Sequence, residues 1–344
     1  VAKAIFITAA SPQIGGGHVL RCLALAEVLE SHGFNAVFAV SRTTLDTVTL
    51  LKDAPFEIVE TAPQEAHLTA AALGAGVAIF DGYGIDQAIE RQWRNHAGVR
   101  LVIDDLADRP HDCELLVDHA PGRTAAAYAA LVPANCKILA GPSFALLRPA
   151  FLHSRSRALA RRSMAAPRRL LVAMGLTDVD GITRKVVEGA LLSRLGLDVD
   201  VVAGRGAPSL PWLERMAVSA SLRLHVDIDA TAMAELMVVS DIAIGGGGGS
   251  SLERCCMGLP SLMIMLAGNQ RLAAETLQRE GAARLIGDHT IAARQVATAL
   301  EEFAEQRTAL AECSRFASTI VDGGGAERVC RAVLSNESSS HSEQ

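Results

Sequence analysis

Nowhere does this chain approach the roughly 18 uninterrupted apolar residues that a membrane-spanning helix needs. The run IFIT after Lys3 is also too short for the apolar core of a secretory signal. The seven cysteines, at 22, 113, 136, 255, 256, 313 and 330, form no C-x-x-C pair and are odd in number, which suits reduced thiols better than a disulfide framework. A basic excess is missing too: 32 Lys and Arg stand against 38 Asp and Glu, a formal net charge of −6, so there is no overall electrostatic footprint for nucleic acid. These absences predict a cytoplasmic protein whose partners are small molecules, with no membrane span, no nucleic acid and no obligatory protein partner.

What is present is apolar and ordered. Half of the 344 residues are hydrophobic, enough for a large core, and the length favours two domains. Short apolar runs alternate with amphipathic ones: KAIFITA, then VLRCLALAEVLESHG; NAVFAV, then TLDTVTLLKD; GVAIFD, then DQAIERQWRNH; then VRLVIDD and ELLVDH. Alternation of this kind marks an α/β domain with a parallel sheet. It restarts at RLLVAMG and continues through VDVVAG, RLHVDI, IAIGGGGG, PSLMIML and ARLIG, with helical stretches between them. The predicted architecture is two Rossmann-like domains facing a central cleft: residues 1–155, a basic Ala/Ser-rich linker over 156–168, and residues 169–334. The polar end, 335–344, is expected to be disordered.

Each half opens with a strand that runs into a glycine turn and a helix. In the first, Gly15, Gly16 and Gly17 precede His18 in SPQIGGGHVLRCLALAEVL. Leu20 stands where G-x-G-x-x-G requires its third glycine, which removes most support for a dinucleotide site. Leu20, Leu23, Ala24 and Val28 recur at helical spacing and form a core face. His18 and Arg21 are the polar exceptions. A histidine at a helix start can simply bond a nearby carbonyl, but the glycines leave room for a ligand beside the ring. The positive end of the helix favours neutral imidazole, so His18 is a candidate general base.

In the second half, Gly245 to Gly249 follow the strand IAI and lead into Ser250, Ser251, Leu252 and Glu253. No G-K-[ST] follows, so this is not a P-loop. Backbone amides and hydroxyls there suit a diphosphate held as a leaving group, against the plainer alternative of a flexible hinge. A third loop, MGLTDVDG at 174–181, occupies the same strand-to-helix position. Asp104 and Asp105 follow LVI with Arg109 and His111 nearby. No His or Glu at ligand spacing completes a metal site, and neither metal nor cofactor is expected.

The stretches GGGHVLRCLALAEVL, DGYGID, VIDDLADRPHDCELLVD, LAGPSFALLRPAF, GGGGGSSLERCCMGLPSL and GNQ, spread from residue 15 to about residue 270, together resemble the UDP-sugar hydrolases of pseudaminic acid biosynthesis. Those enzymes release 2,4-diacetamido-2,4,6-trideoxy-β-L-altropyranose from UDP and have a glycosyltransferase-B architecture. They are similar to the enzyme that transfers GlcNAc onto lipid I. The resemblance implies that His18 activates a water for attack on the anomeric carbon with inversion, and that UDP departs into the second domain. It further implies that Glu253, ahead of Gly258, Leu259 and Pro260, binds the ribose hydroxyls. Tyr83 of the D-x-Y motif would line the sugar pocket, and Asn269 and Gln270 would lie near sugar and diphosphate. Gly16, Gly17, Arg21, Thr177, Asp178, Gly248, Gly249, Ser250 and Ser251 complete the expected substrate contacts.

Without the resemblance, Glu253 could equally be an acid at a helix start, Tyr83 a packing residue and Asn269 an N-cap. Where relatives read M-G-G-S-D-P, this chain has MGLTDV, so Leu176 and Val179 replace a glycine and a proline while Thr177 and Asp178 keep a hydroxyl and an acid. Asp104 and Asp105 are read as structural or substrate-orienting, with Arg109 as a partner. The acetyltransferase domain fused to some relatives is not expected here. Alternatives of other kinds are a UDP-sugar-dependent glycosyltransferase of the same fold, a non-hydrolysing UDP-sugar 2-epimerase and a nucleotide-sugar binding protein without catalysis.

Overall fold

A computed structural model describes residues 2–162, 166–218 and 222–340. The chain divides into two units, Val1–Pro149 with Gly324–Gln344, and Ala150–Gly323. In the first, seven parallel strands stand in the order β3-β2-β1-β4-β5-β6-β7. They are β1 (Lys3–Thr8), β2 (Asn35–Val40), β3 (Glu57–Glu60), β4 (Ala75–Asp81), β5 (Ala97–Ile103), β6 (Leu115–Asp118) and β7 (Lys137–Ala140). The inner strands are buried along nearly their whole length, which is why KAIFIT and AGVRLVI read as apolar runs rather than alternating ones. One side of the sheet is closed by Ile5, Ile7, Val37, Phe80, Trp93 and Tyr128.

The second unit repeats the plan with six strands in the order β10-β9-β8-β11-β12-β13. These are β8 (Arg169–Ala173), β9 (Asp198–Ala203), β10 (Leu222–Val226), β11 (Ile242–Gly246), β12 (Ser261–Met265) and β13 (Arg284–Asp288). Both sheets reverse direction beside their first strand, between β1 and β4 and between β8 and β11. At such a switch point, loops leaving adjacent strand ends diverge to opposite faces and open a crevice. His18 and Asp81 lie at the first, and Thr177 and the turn Gly247 to Gly249 at the second.

Three boundaries differ from the sequence expectation. The first unit's opening segment ends at Pro149, and the first part of the supposed linker, 156–161, belongs to the helix Pro149–Arg161. Its basic residues are not idle charge. Arg155 donates to the carbonyls of Cys256 and Ser318, and Arg162 to those of Met237, Ser240 and Met257. Arg161 pairs with Asp241. Most of these acceptors are carbonyls left open at helix C-termini, where cations are favoured. Residues 163–165 of that stretch lie outside the described residues.

The second domain does not run to 334, because the last helix, Gly325–Ser340, belongs to the first unit. It packs on the helix Gly17–Ser31, and Arg328 donates to the Ser143 carbonyl at 2.7 Å. This cover explains why Val19, Cys22, Ala26 and Leu29 are buried along with Leu23 and Ala24, whereas Leu20 and Val28 are only half-buried. The expected disordered end is helical over 335–340, and 341–344 lie outside the described residues.

The last helix can start where it does because Gly325 has no side chain: a Cβ there would lie 2.3 Å from the Ala145 carbonyl oxygen. Gly325→Ala is therefore expected to lower the stability of the first unit by about 1–3 kcal/mol in urea unfolding. Gly206→Ala, where the added carbon meets nothing within 4 Å, should leave the transition nearly unmoved.

Candidate active site

The first cluster is assembled from loops that follow β1, β4, β5 and β6. Gly15 takes φ +87 and its amide donates to the Ser11 carbonyl at 2.8 Å, so the chain after β1 closes into a tight turn before the helix begins. A Cβ on Gly17 would meet nothing within 4 Å, so the space beside the helix start is open. His18, one residue further, is 5% exposed, and its Nδ1 lies 2.6 Å from Asp81 Oδ1. Arg21, one turn on, grips the same carboxylate with Nε at 2.6 Å and a terminal nitrogen at 2.7 Å, and reaches Asp105 at 3.0 Å. Tyr83 stands edge-on to the His18 ring at 4.6 Å, is 36% exposed, and hydrogen-bonds Asp105.

Asp81 ends β4 with no exposure to water. Burial alone would raise its pKa, but Arg21 and then His18 outweigh that and hold it down at about 2. An ionised carboxylate can only accept. A terminal nitrogen of Arg21 also lies 3.0 Å from His18 Nδ1, but Asp81 Oδ1 is nearer at 2.6 Å and needs a donor, so the proton on the His18 ring is assigned to Nδ1, donating to Asp81. Nε2 then carries the lone pair and has no hydrogen-bond partner among the described residues. A histidine held this way can take a proton at Nε2. Burial, then Asp105, pushes the Tyr83 phenol well above its ordinary range, so it acts as a hydrogen-bond donor.

Asp104 and Asp105 do not share a ligand. Asp104 Oδ2 accepts from the amides of Leu106 and Ala107 at 3.1 and 2.8 Å and from Tyr128 at 2.8 Å, while Oδ1 pairs with Arg109 at 2.9 Å. Asp105 instead faces Arg21 and Tyr83. His111 turns to Glu90 at 2.7 Å. Among the described residues no group of three or more His, Cys, Asp or Glu is arranged to hold a metal ion.

The second cluster surrounds the glycine loop. Gly245 and Gly246 are the end of β11, and only Gly247 to Gly249 form the turn into the helix Ser250–Cys256. A Cβ on Gly247 or Gly248 would meet the Gln270 side chain at 3.3 or 3.4 Å, and Gln270 itself accepts from the Leu266 amide at 3.0 Å. Gln270 therefore lines the loop, while Asn269 beside it is exposed and Glu253 half-buried. Ser250 is half-buried and accepts from Arg254 at 3.2 Å.

Two expected contacts are already committed within the protein. Ser251 is buried and its hydroxyl donates to the Gly248 carbonyl at 2.7 Å. Asp178 is fully buried in left-handed backbone (φ 46), with one oxygen on the Thr183 amide at 2.8 Å and the other on the Ser209 amide at 2.9 Å. Its carboxylate holds the loop after β8, whereas the sequence expectation placed it at the substrate. Thr177 beside it is half-buried.

The architecture is the glycosyltransferase-B fold. MurG of Acinetobacter baumannii superposes with a TM-score of 0.67 over 97% of this chain and 100% of its own, at 16% identity. A putative UDP-N-acetylglucosamine 2-epimerase from Listeria monocytogenes superposes with a TM-score of 0.62 over 97% and 96%, at 14% identity. In sequence, the chain is 24% identical to the UDP-2,4-diacetamido-2,4,6-trideoxy-beta-L-altropyranose hydrolase of Campylobacter jejuni over 285 residues, 81% of this chain and 97% of that protein. It is 28% identical to the spore coat polysaccharide biosynthesis protein SpsG of Bacillus subtilis over 158 residues, 45% of each chain. No family model matches. The resemblance read from the motifs thus extends over most of the chain.

Three residues of these clusters were not singled out from the sequence: Asp81, Arg254 and His119. Asp81 is the first letter of DGYGID, and an acid closing an otherwise apolar strand was a usable signal. His119 follows β6, and its Nδ1 accepts from the Leu146 amide at 3.3 Å. Burial, then the nearby Arg21, lowers its pKa to about 4. Unfolded histidine titrates near 6.5, so between these values the unfolded chain binds a proton that the folded chain does not. Stability should therefore fall as pH drops from about 6.5 to about 4. Urea midpoints measured across that window should show the slope in the wild type and a shallower one in His119→Gln.

Proposed function

We propose that this protein is a UDP-sugar hydrolase that cleaves the anomeric C–O bond of a UDP-linked 2,4-diacetamido-2,4,6-trideoxy hexose, in nonulosonate (pseudaminic acid) biosynthesis. The observation that carries this is the 2.6 Å contact of His18 Nδ1 with a buried Asp81, which leaves Nε2 as a proton acceptor beside an open glycine turn. The similarity to the Campylobacter jejuni hydrolase supplies the substrate class.

Water attacks the anomeric carbon and gives a proton to His18 Nε2 as the bond to the diphosphate oxygen breaks. The electron pair leaves with UDP, and the sugar is released with its anomeric configuration inverted. Asp81 keeps the proton on Nδ1 throughout and steadies the imidazolium that forms, the part a carboxylate plays beside any histidine base. A diphosphate departs readily, so an anion cradle serves better than a strong acid. Gly248, Gly249 and Ser250 are its proposed elements, with Glu253 at the ribose and Asn269 and Gln270 at the diphosphate and sugar. Gly16, Gly17 and Tyr83 face the sugar and water. Arg21, bound on both sides by carboxylates, acts by fixing Asp81 and Asp105.

Incubation with a UDP-diacetamido-trideoxy hexose and no acceptor should yield UDP and free sugar, followed by NMR. UDP release only when an acceptor is added would replace hydrolysis with glycosyl transfer. His18→Ala should lower kcat by about 10²–10⁴ with UDP affinity unchanged. Asp81→Asn should also lower kcat strongly, because an amide no longer dictates which ring nitrogen carries the proton. Unchanged turnover in His18→Ala would leave only a binding function.

A further inference from the structure

The glycine loop after β11 rests on a buried cation. Arg254 is 2% exposed, and its guanidinium donates to the Gly246 carbonyl at 2.6 Å and to Ser250 Oγ at 3.2 Å. Its Nε is buried without a hydrogen-bond partner among the described residues. A Cβ on Gly245 would lie 2.4 Å from the guanidinium, so the glycine at that position is what admits the group. Arg100, the other buried arginine among the described residues, is answered by Glu114 and Asp112. Arg254 instead bonds a carbonyl and a hydroxyl; the neighbouring half-buried Glu253 attracts its charge, but Arg254 makes no ion pair among the described residues. Burial lowers its pKa to about 10, which still leaves it charged at neutral pH.

A buried charge with no ion-pair partner is costly to fold around. The cost is reasonable where an anion arrives from outside to answer it. Ser250 sharpens the point. Its oxygen accepts from Arg254, so its own proton is free to point elsewhere and donate. The guanidinium thus polarises a hydroxyl donor at the loop where an anion would sit.

We propose that Arg254 is a positioning residue for the diphosphate of a nucleoside diphosphate ligand, acting from beneath the glycine loop by its charge and through Ser250, an inference that rests on the nucleotide-sugar function proposed for this chain. Arg254 does not touch the reacting atoms. It favours the state with most negative charge on the diphosphate, which is the departed leaving group, so its loss should weaken affinity for UDP far more than affinity for uridine.

The test compares UDP, by calorimetry, with uridine, by ligand-observed NMR, on wild type, Arg254→Gln and Arg254→Lys. Gln keeps donors for the Gly246 carbonyl and Ser250 but removes the charge, whereas Lys keeps the charge and loses the fork. The expected result is a UDP affinity about tenfold or more weaker in Arg254→Gln, uridine affinity within about twofold of wild type, and UDP affinity in Arg254→Lys within about threefold. Retained uridine binding shows that the variant is folded. Unchanged UDP affinity in Arg254→Gln, an equal fall for UDP and uridine, or a loss as deep in Arg254→Lys as in Arg254→Gln would each overturn the proposal. Wild type that binds no UDP would overturn the nucleotide function as well, whereas tight wild-type binding with an indifferent Arg254→Gln removes only the role of Arg254.

Discussion

A carboxylate with no access to water sits at the end of a central strand, and the polar groups around His18 are organised to answer it. Asp81 cannot be left alone there, because an unpaired buried charge costs several kcal/mol. Arg21 meets it with two nitrogens and His18 with one. Both come from the first two turns of the helix after β1, brought alongside by the β1–β4 pairing. Once Arg21 is committed, its remaining donor fixes Asp105, and Asp105 in turn holds Tyr83. One ionised group therefore sets the tautomer of His18, the place of Arg21 and the partner of Tyr83.

The second unit solves a similar problem with the signs reversed. One of its buried acids, Asp178, is answered by backbone amides and so shapes the loop after β8. Its buried base, Arg254, bonds the strand end and a serine of the glycine loop. The two glycine runs thus differ in purpose despite their likeness in sequence. In the first, Gly15 makes a turn and Gly17 leaves space. In the second, Gly245 makes room for a guanidinium and Gly247 and Gly248 for Gln270.

Much of the fold was legible because buried parallel strands are apolar along their whole length. The runs KAIFIT, NAVFAV and RLLVA needed no partner to be recognised. The edge strands EIVE and KILA, at β3 and β7, were missed: they are four residues long and carry exposed positions, so their signal is diluted. The helix Pro149–Arg161 read as a linker because its arginines look solvated in sequence, whereas in the fold they serve carbonyls far along the chain. Likewise, the run AARQVATALEEFAEQRTALAE has a continuous helical pattern in sequence, yet it is divided between two helices, Ala293–Glu305 and Arg307–Ile320. The last helix was assigned to the wrong unit for a related reason, since its covering of the helix Gly17–Ser31 is a contact between opposite ends of the chain.

The sequence by itself determined the two Rossmann-like halves, the glycine turns at their strand ends and the prominence of His18. Each of these is written in local pattern: apolar period, missing side chains and a polar residue at a helix start. Tertiary structure alone decided which groups those residues meet. Asp81 is 63 positions from His18, and only the sheet order brings it to the ring. Whether Asp178 and Arg254 point outward or hold a loop from within was likewise settled by burial and by the few partners in reach. Charge pairing acts through space, and local sequence carries no record of which distant strand end will be adjacent.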